Sequence, residues 1–123
     1  MELNVDVGWL LDVQDSALPE SPEVRDYSAL AAACSRQRVN TPRLGEEADE
    51  AWGAAALLHT TVALKPLPAD NTVFGCALAV QYMRQAGAGV DPPYGALVEL
   101  VKGLRDGSLD VFDAADRLRS WRI

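Results

Sequence analysis

The sequence predicts an all-α fold of about six helices, with two unusually apolar helices at its centre. Three observations predict it. Apolar residues recur at helical spacing through most of the chain, no segment alternates apolar and polar side chains over a strand's length, and prolines, glycines and capping aspartates cut the periodic runs into helix-sized pieces. The 123 residues suit one domain, residues 1–123, built around a single core.

The first helix is expected over Val7–Leu18, where Trp9, Leu10, Val13 and Leu18 share a face, and Pro19 and Pro22 bracket the turn after it. Asp26 is a candidate N-cap for Tyr27–Arg38, in which Leu30, Ala33 and Cys34 form one stripe. Val39–Glu46, with Asn40, Thr41, Pro42 and Gly45, reads as a loop. Glu47–Leu64 reads as a helix whose acidic first turn complements the helix dipole. From Trp52 to Leu58 it is apolar on nearly all sides, the mark of a central helix. Pro66 and Pro68 stop it. Asp70 can cap a further helix, Asn71–Ala86, whose apolar residues again cover most of its circumference before Gly87 ends it. Pro92 and Pro93 open a helix running through Leu97, Leu100, Val101 and Leu104 to a stop at Gly107. Ser108 or Asp110 caps the last helix, which carries Val111, Phe112, Ala115 and Leu118.

Composition excludes some functions. The chain carries 18 acidic against 11 basic side chains, a net charge of −7, which disfavours nonspecific binding to nucleic acid or to anionic membranes. Nine of the basic residues are arginines, and the two lysines are Lys65 and Lys102. Cys34 and Cys76 fall inside apolar helical patterns without a Cys-x-x-Cys spacing, so buried reduced thiols are expected and no metal ligand set is. The start of the chain has no basic, apolar leader, and no run approaches the ~20 apolar residues of a membrane span, so a cytoplasmic location is expected.

The segment Lys65-Pro66-Leu67-Pro68-Ala69-Asp70-Asn71-Thr72-Val73 lies between the two apolar helices. With those helices it resembles the Fic/Doc family, whose loop reads His-x-Phe-x-(Asp or another residue)-(Gly or Ala)-Asn-(Gly or Lys)-Arg. Here Lys65 stands at the His, Leu67 at the Phe, Ala69 at the acidic position, Asp70 at the small residue, Thr72 at the Gly or Lys and Val73 at the Arg. Asn71 matches the Asn outright. Ala54–His59 is similar to the family's preceding helix and Phe74–Gly87 to its following one. Arg25-Asp26 ahead of Leu30 and Ala33, and Leu97–Val101 with Gly107–Leu118, are similar to the Doc-type second helix and C-terminal pair. The resemblance implies transfer of part of a nucleotide to a protein hydroxyl, with ATP and magnesium if the chain is active. For Doc-type toxins it implies phosphorylation of the elongation factor that carries aminoacyl-tRNA, under control of a partner antitoxin. Val39–Glu46 then corresponds to the flap that aligns the target.

The substitutions change the chemistry. A general base needs a pKa near the working pH, and a lysine at position 65 acquires one only through burial or a neighbouring cation. The small family residue lets a phosphate approach the free amides of the helix N-terminus. The Asp70 carboxylate is expected to take those amides itself, filling the anion site with negative charge. Val73 lacks the planar fork with which the family Arg grips phosphate, and the next arginine in sequence is Arg84, further along the same helix. Asn71 keeps an amide for a ligand, or is a plain first-turn residue. Thr72 leaves the reaction subtype open.

Other candidates carry less. His59 is the only histidine; it points into the cleft or is a core or helix-flank histidine, and a triad with Cys34 or Cys76 has no local signature. Trp9, Trp52 and Trp121 read as core or interface anchors, and no Gly-x-x-x-x-Gly-Lys phosphate loop occurs. Arg117, Arg119 and Arg122 form a basic C-terminus, either a partner contact or a solvated face. The readings that remain are a Fic/Doc-like protein whose chemistry has lapsed into binding, an active transferase rewired around Lys65, Asp70 and Asn71, and a helical interaction module.

Overall fold

A computed structural model describes residues 3–20, 22–39 and 48–123. It contains α1 (Val7–Ala17), α2 (Tyr27–Gln37), α3 (Glu50–Leu64), α4 (Asn71–Gln85), α5 (Ala96–Asp106) and α6 (Val111–Ser120). Among the described residues there is no strand beyond an isolated bridge between Val90 and Arg122, which ties the end of the chain to the α4–α5 connection. No described helix is long and apolar enough to cross a membrane. The loop expected over Val39–Glu46 lies, from residue 40 onward, outside the described residues, as does Glu47.

α3 is the axis of the bundle and packs against α2, α4, α5 and α6. Its small residues Gly53, Ala54, Ala55 and Ala56 are buried and let neighbouring helices come close. At Gly53 a Cβ would sit 2.6 Å from the Tyr82 ring of α4, so only glycine admits that ring. The Tyr82 hydroxyl donates to the Leu3 carbonyl at 2.9 Å and accepts from Gln37 Nε2 at 3.1 Å. Gln37 also accepts the Val5 amide at 3.1 Å, so α2 and α4 together hold the N-terminal segment against the core.

Helix boundaries follow caps rather than composition. Asp49 caps α3 by accepting the Trp52 amide, so the helix starts at Glu50 and not at Glu47. α5 starts at Ala96 and not at the Pro92-Pro93 pair, because Gly95 enters it in a left-handed conformation with φ 81°. Asp110, one of the two candidates, caps α6 through a reciprocal pair with Asp113.

In the basic C-terminus Arg117 is exposed, whereas Arg119 and Arg122 are engaged by carboxylates at the start of α3. Arg119 grips Asp49 with two hydrogen bonds of 2.7 and 2.9 Å, and Arg122 reaches Glu50 at 2.5 Å. α6 is thereby strapped to the start of α3. Trp52 stacks on Phe112 at 5.5 Å beside this strap, an anchoring role as expected.

Candidate functional site

α3 ends at Lys65, whose left-handed backbone (φ 50°, ψ 66°) turns the chain while its amide still bonds the Thr61 carbonyl at 3.0 Å. Pro66 and Leu67 then dive into the core and are fully buried, whereas Pro68, Ala69 and Asp70 return to the surface. Arg25 Nη2 donates to the Lys65 carbonyl at 2.9 Å, and the amides of Arg25 and Asp26 both donate to the Pro66 carbonyl, at 2.8 and 3.1 Å. The approach to α2 therefore fixes the first half of the loop.

Asn71 fixes the second half. Its Oδ1 accepts the Leu67 amide and its Nδ2 donates to the Leu67 carbonyl, both at 2.9 Å. The amide that the sequence offered to a ligand is thus committed at both ends to the loop itself. Asn71→Ala is expected to lower the unfolding free energy by about 1–3 kcal/mol, two hydrogen bonds at their usual net worth, in a urea titration. Asn71→Asp, which keeps the acceptor and loses the donor, should fall between the two.

Asp70 occupies the N-cap position of α4 but does not cap it. Its backbone is left-handed (φ 63°, ψ 25°), not the extended conformation that aims an N-cap carboxylate at the first turn, and its side chain makes no capping hydrogen bond. The expectation that Asp70 plugs the anion site is corrected accordingly. The backbone amides of Asn71, Thr72 and Val73 donate to no partner among the described residues, while the next amide, of Phe74, donates to the Asp70 carbonyl at 2.9 Å.

Lys65, Asp70, Asn71, Thr72 and Val73 line one cavity of about 330 Å³ together with Val62 and Arg105. Arg105 is the residue that sequence reasoning missed. It lies in the last turn of α5, and sequence distance gave no sign that α5 passes beside the loop. It brings a planar guanidinium to a cavity at which the first turn of α4 presents Val73. The lining side chains thus hold two cations, Lys65 and Arg105, against the single carboxylate of Asp70, beside the positive end of a helix dipole. The arrangement can hold a small anion. It does not fit magnesium: Asp70 alone, flanked by two cations, is a poor ligand set, and no three His, Cys, Asp or Glu side chains converge among the described residues.

His59 does not line the cavity. It sits half-buried on α3 with Nδ1 2.7 Å from Arg36 Nη1, which also reaches the Thr60 hydroxyl at 3.4 Å. Burial first, then the Arg36 charge, hold its pKa below the ordinary 6.5, against an opposing pull from Asp110. The unfolded chain therefore takes up this proton before the folded chain does. Stability is expected to fall as pH drops from about 6.5 toward the folded value, and the contribution to be absent above that window. Urea midpoints measured between about pH 7 and 5 should show this slope in the native chain and a shallower one in His59→Gln. No hydrogen bond links His59 to Cys34 or Cys76 among the described residues, and burial raises the Cys34 thiol and pushes Cys76 up to about 11.

No protein-family model matches this chain, and no curated protein matches it.

Proposed function

We propose that this chain is a Fic/Doc-like binding protein of toxin–antitoxin descent that keeps an anion cleft and has lost nucleotide transfer. The observation that carries the reading is the state of the loop from Lys65 to Val73. The described lining residues include no histidine: an exposed Lys65 stands where the family pattern has its His, and the Asn71 amide is tied to Leu67 at both ends. Two further features support the descent. Residue 70 is left-handed, a conformation that glycine adopts freely, at a position where the family pattern allows glycine. Leu67 buries its side chain where the pattern has Phe.

Binding follows from what the cleft retains. Free amides at the start of α4, Lys65 and Arg105 together suit a phosphate or a carboxylate. Partners in keeping with this descent are an antitoxin or a former elongation-factor-type target that presents such a group. Calorimetric titration with inorganic phosphate and with ATP, with and without magnesium, tests the cleft. Binding is expected, with Arg105→Ala weakening it roughly 10- to 100-fold, as expected for loss of a charge-assisted hydrogen bond. Silence in every titration contradicts it.

A second reading, an active transferase rewired around Lys65, Asp70 and Asn71, is favoured by Arg105 alone, which restores a phosphate grip from another helix. It predicts turnover of ATP in the presence of a protein acceptor, and the first reading predicts none.

A further inference from the structure

The end of α2 serves two parts of the molecule at once. Arg36, in its last turn, faces α3, where Nη1 lies 2.7 Å from His59 Nδ1 and 3.4 Å from the Thr60 hydroxyl. The next two residues face the segment ahead of α1. Gln37 accepts the Val5 amide at 3.1 Å and donates to the Leu3 carbonyl at 2.8 Å, and Arg38 Nη2 donates to the Val5 carbonyl at 2.7 Å. The Tyr82 hydroxyl of α4 adds a bond to the same Leu3 carbonyl. Val5 is buried in this clasp, so its amide reports whether the segment is seated.

The Arg36–His59 contact fixes a protonation state. A guanidinium carries donors only, so Nδ1 must accept, and the proton of the neutral ring sits on Nε2. A second proton would go to Nδ1 and set N–H against N–H and charge against charge across the same short gap. One side chain must then leave. His59 lies in the body of α3, between the buried Leu58 and Thr60, on the helix against which α2, α4, α5 and α6 all pack. Arg36 lies near a helix end and yields first. Of the elements packed on α3, α2 presents Arg36 to the ring and the start of α6 presents Asp110, which favours the charged ring while also accepting the Asp113 amide. Burial and the Arg36 charge outweigh Asp110, which sets the event below pH 6.5.

We propose that the end of α2 is a proton-sensitive clasp: charging His59 expels Arg36 and, through Gln37 and Arg38, loosens the hold on Leu3–Val5. The clasp does not rest on the anion cleft, and it adds to the stability slope of His59 a named segment that responds.

NMR of the native chain between about pH 7.5 and 5, with amide hydrogen exchange at the same pH values, tests it. The single histidine gives its own ring titration. The Val5 amide signal should shift with the midpoint of that ring. Its protection factor, corrected for the intrinsic pH dependence of exchange, should fall about tenfold, the worth of one or two net hydrogen bonds. The lowered protection should not change with urea well below the unfolding transition, the mark of a local opening. In His59→Gln, which offers Arg36 an acceptor that does not titrate, Val5 protection should stay flat. In Arg36→Ala the ring midpoint should rise and Val5 should ignore it. Should either variant fail to fold, the native titration alone decides. A ring that titrates while Val5 keeps its protection, a Val5 loss that persists in His59→Gln or Arg36→Ala, or a ring that stays neutral until the whole chain unfolds overturns the proposal.

Discussion

Phe74→Ala is expected to lower the unfolding free energy by about 3–5 kcal/mol, the usual cost of emptying a fully buried phenylalanine site. Phe74 has no solvent exposure and belongs to the core cluster that joins α3 to α4. Its amide makes the first intrahelical bond of α4, to Asp70, so the ring anchors the turn from which the free amides project. A loss of this size is a large share of the ~5–15 kcal/mol that holds a domain together. The variant should therefore also lose phosphate binding, although Phe74 does not line the cavity. Phe74→Leu, which keeps most of the volume, should cost under about 1.5 kcal/mol and retain binding. Chemical denaturation and calorimetry on the same preparations separate the two effects.

Asp49→Ala is expected to cost about 2–3 kcal/mol, because one carboxylate does two jobs. It caps α3 through the Trp52 amide and receives the two-pronged grip of Arg119 from α6. Losing a cap costs about 1 kcal/mol. Breaking a buried ion pair costs more, but Arg119 is 26% and Asp49 14% exposed, which places this pair below the fully buried limit. Asp49→Asn, which can still cap, should cost about half as much. The pH dependence has a definite sign. Burial raises the Asp49 pKa, but the hydrogen bonds from Arg119 and Trp52 and the charges of Arg119 and Arg122 outweigh it and leave the carboxyl below 3.8. Its contribution is present above about pH 4 and is lost as pH falls through the folded value. Asp49→Asn should lack that part of the acid transition.

The helices were legible because apolar periodicity is strong and each break carries a proline, a glycine or a capping aspartate. Even the near-featureless apolar run at Ala54–Leu58 was informative, since only a helix surrounded by others buries every side. Starts were less legible. Asp49 and Gly95 set them through backbone conformation and capping, which composition blurs. Within the site, the loop residues could be named because they are contiguous. What each one does could not be read. Asp70 is the right residue type for a cap, and only its left-handed backbone shows that the carboxylate is turned away. Asn71 is polar and early in a helix, and its commitment to Leu67 depends on how the buried Pro66-Leu67 pair folds the chain back. Arg105 was hidden for a different reason: it lies far along the chain from the loop, and only the packing of α5 against α3, which ends at the loop, brings it to the cavity.

The proposed function is binding without transfer. Incubating the purified protein with γ- and α-labelled ATP, magnesium and a bacterial lysate measures it directly. No labelled protein is expected above the level seen without the chain, under conditions where phosphate or ATP binding is detectable. Labelling that depends on the chain and disappears in Lys65→Ala would contradict it and establish a working transferase.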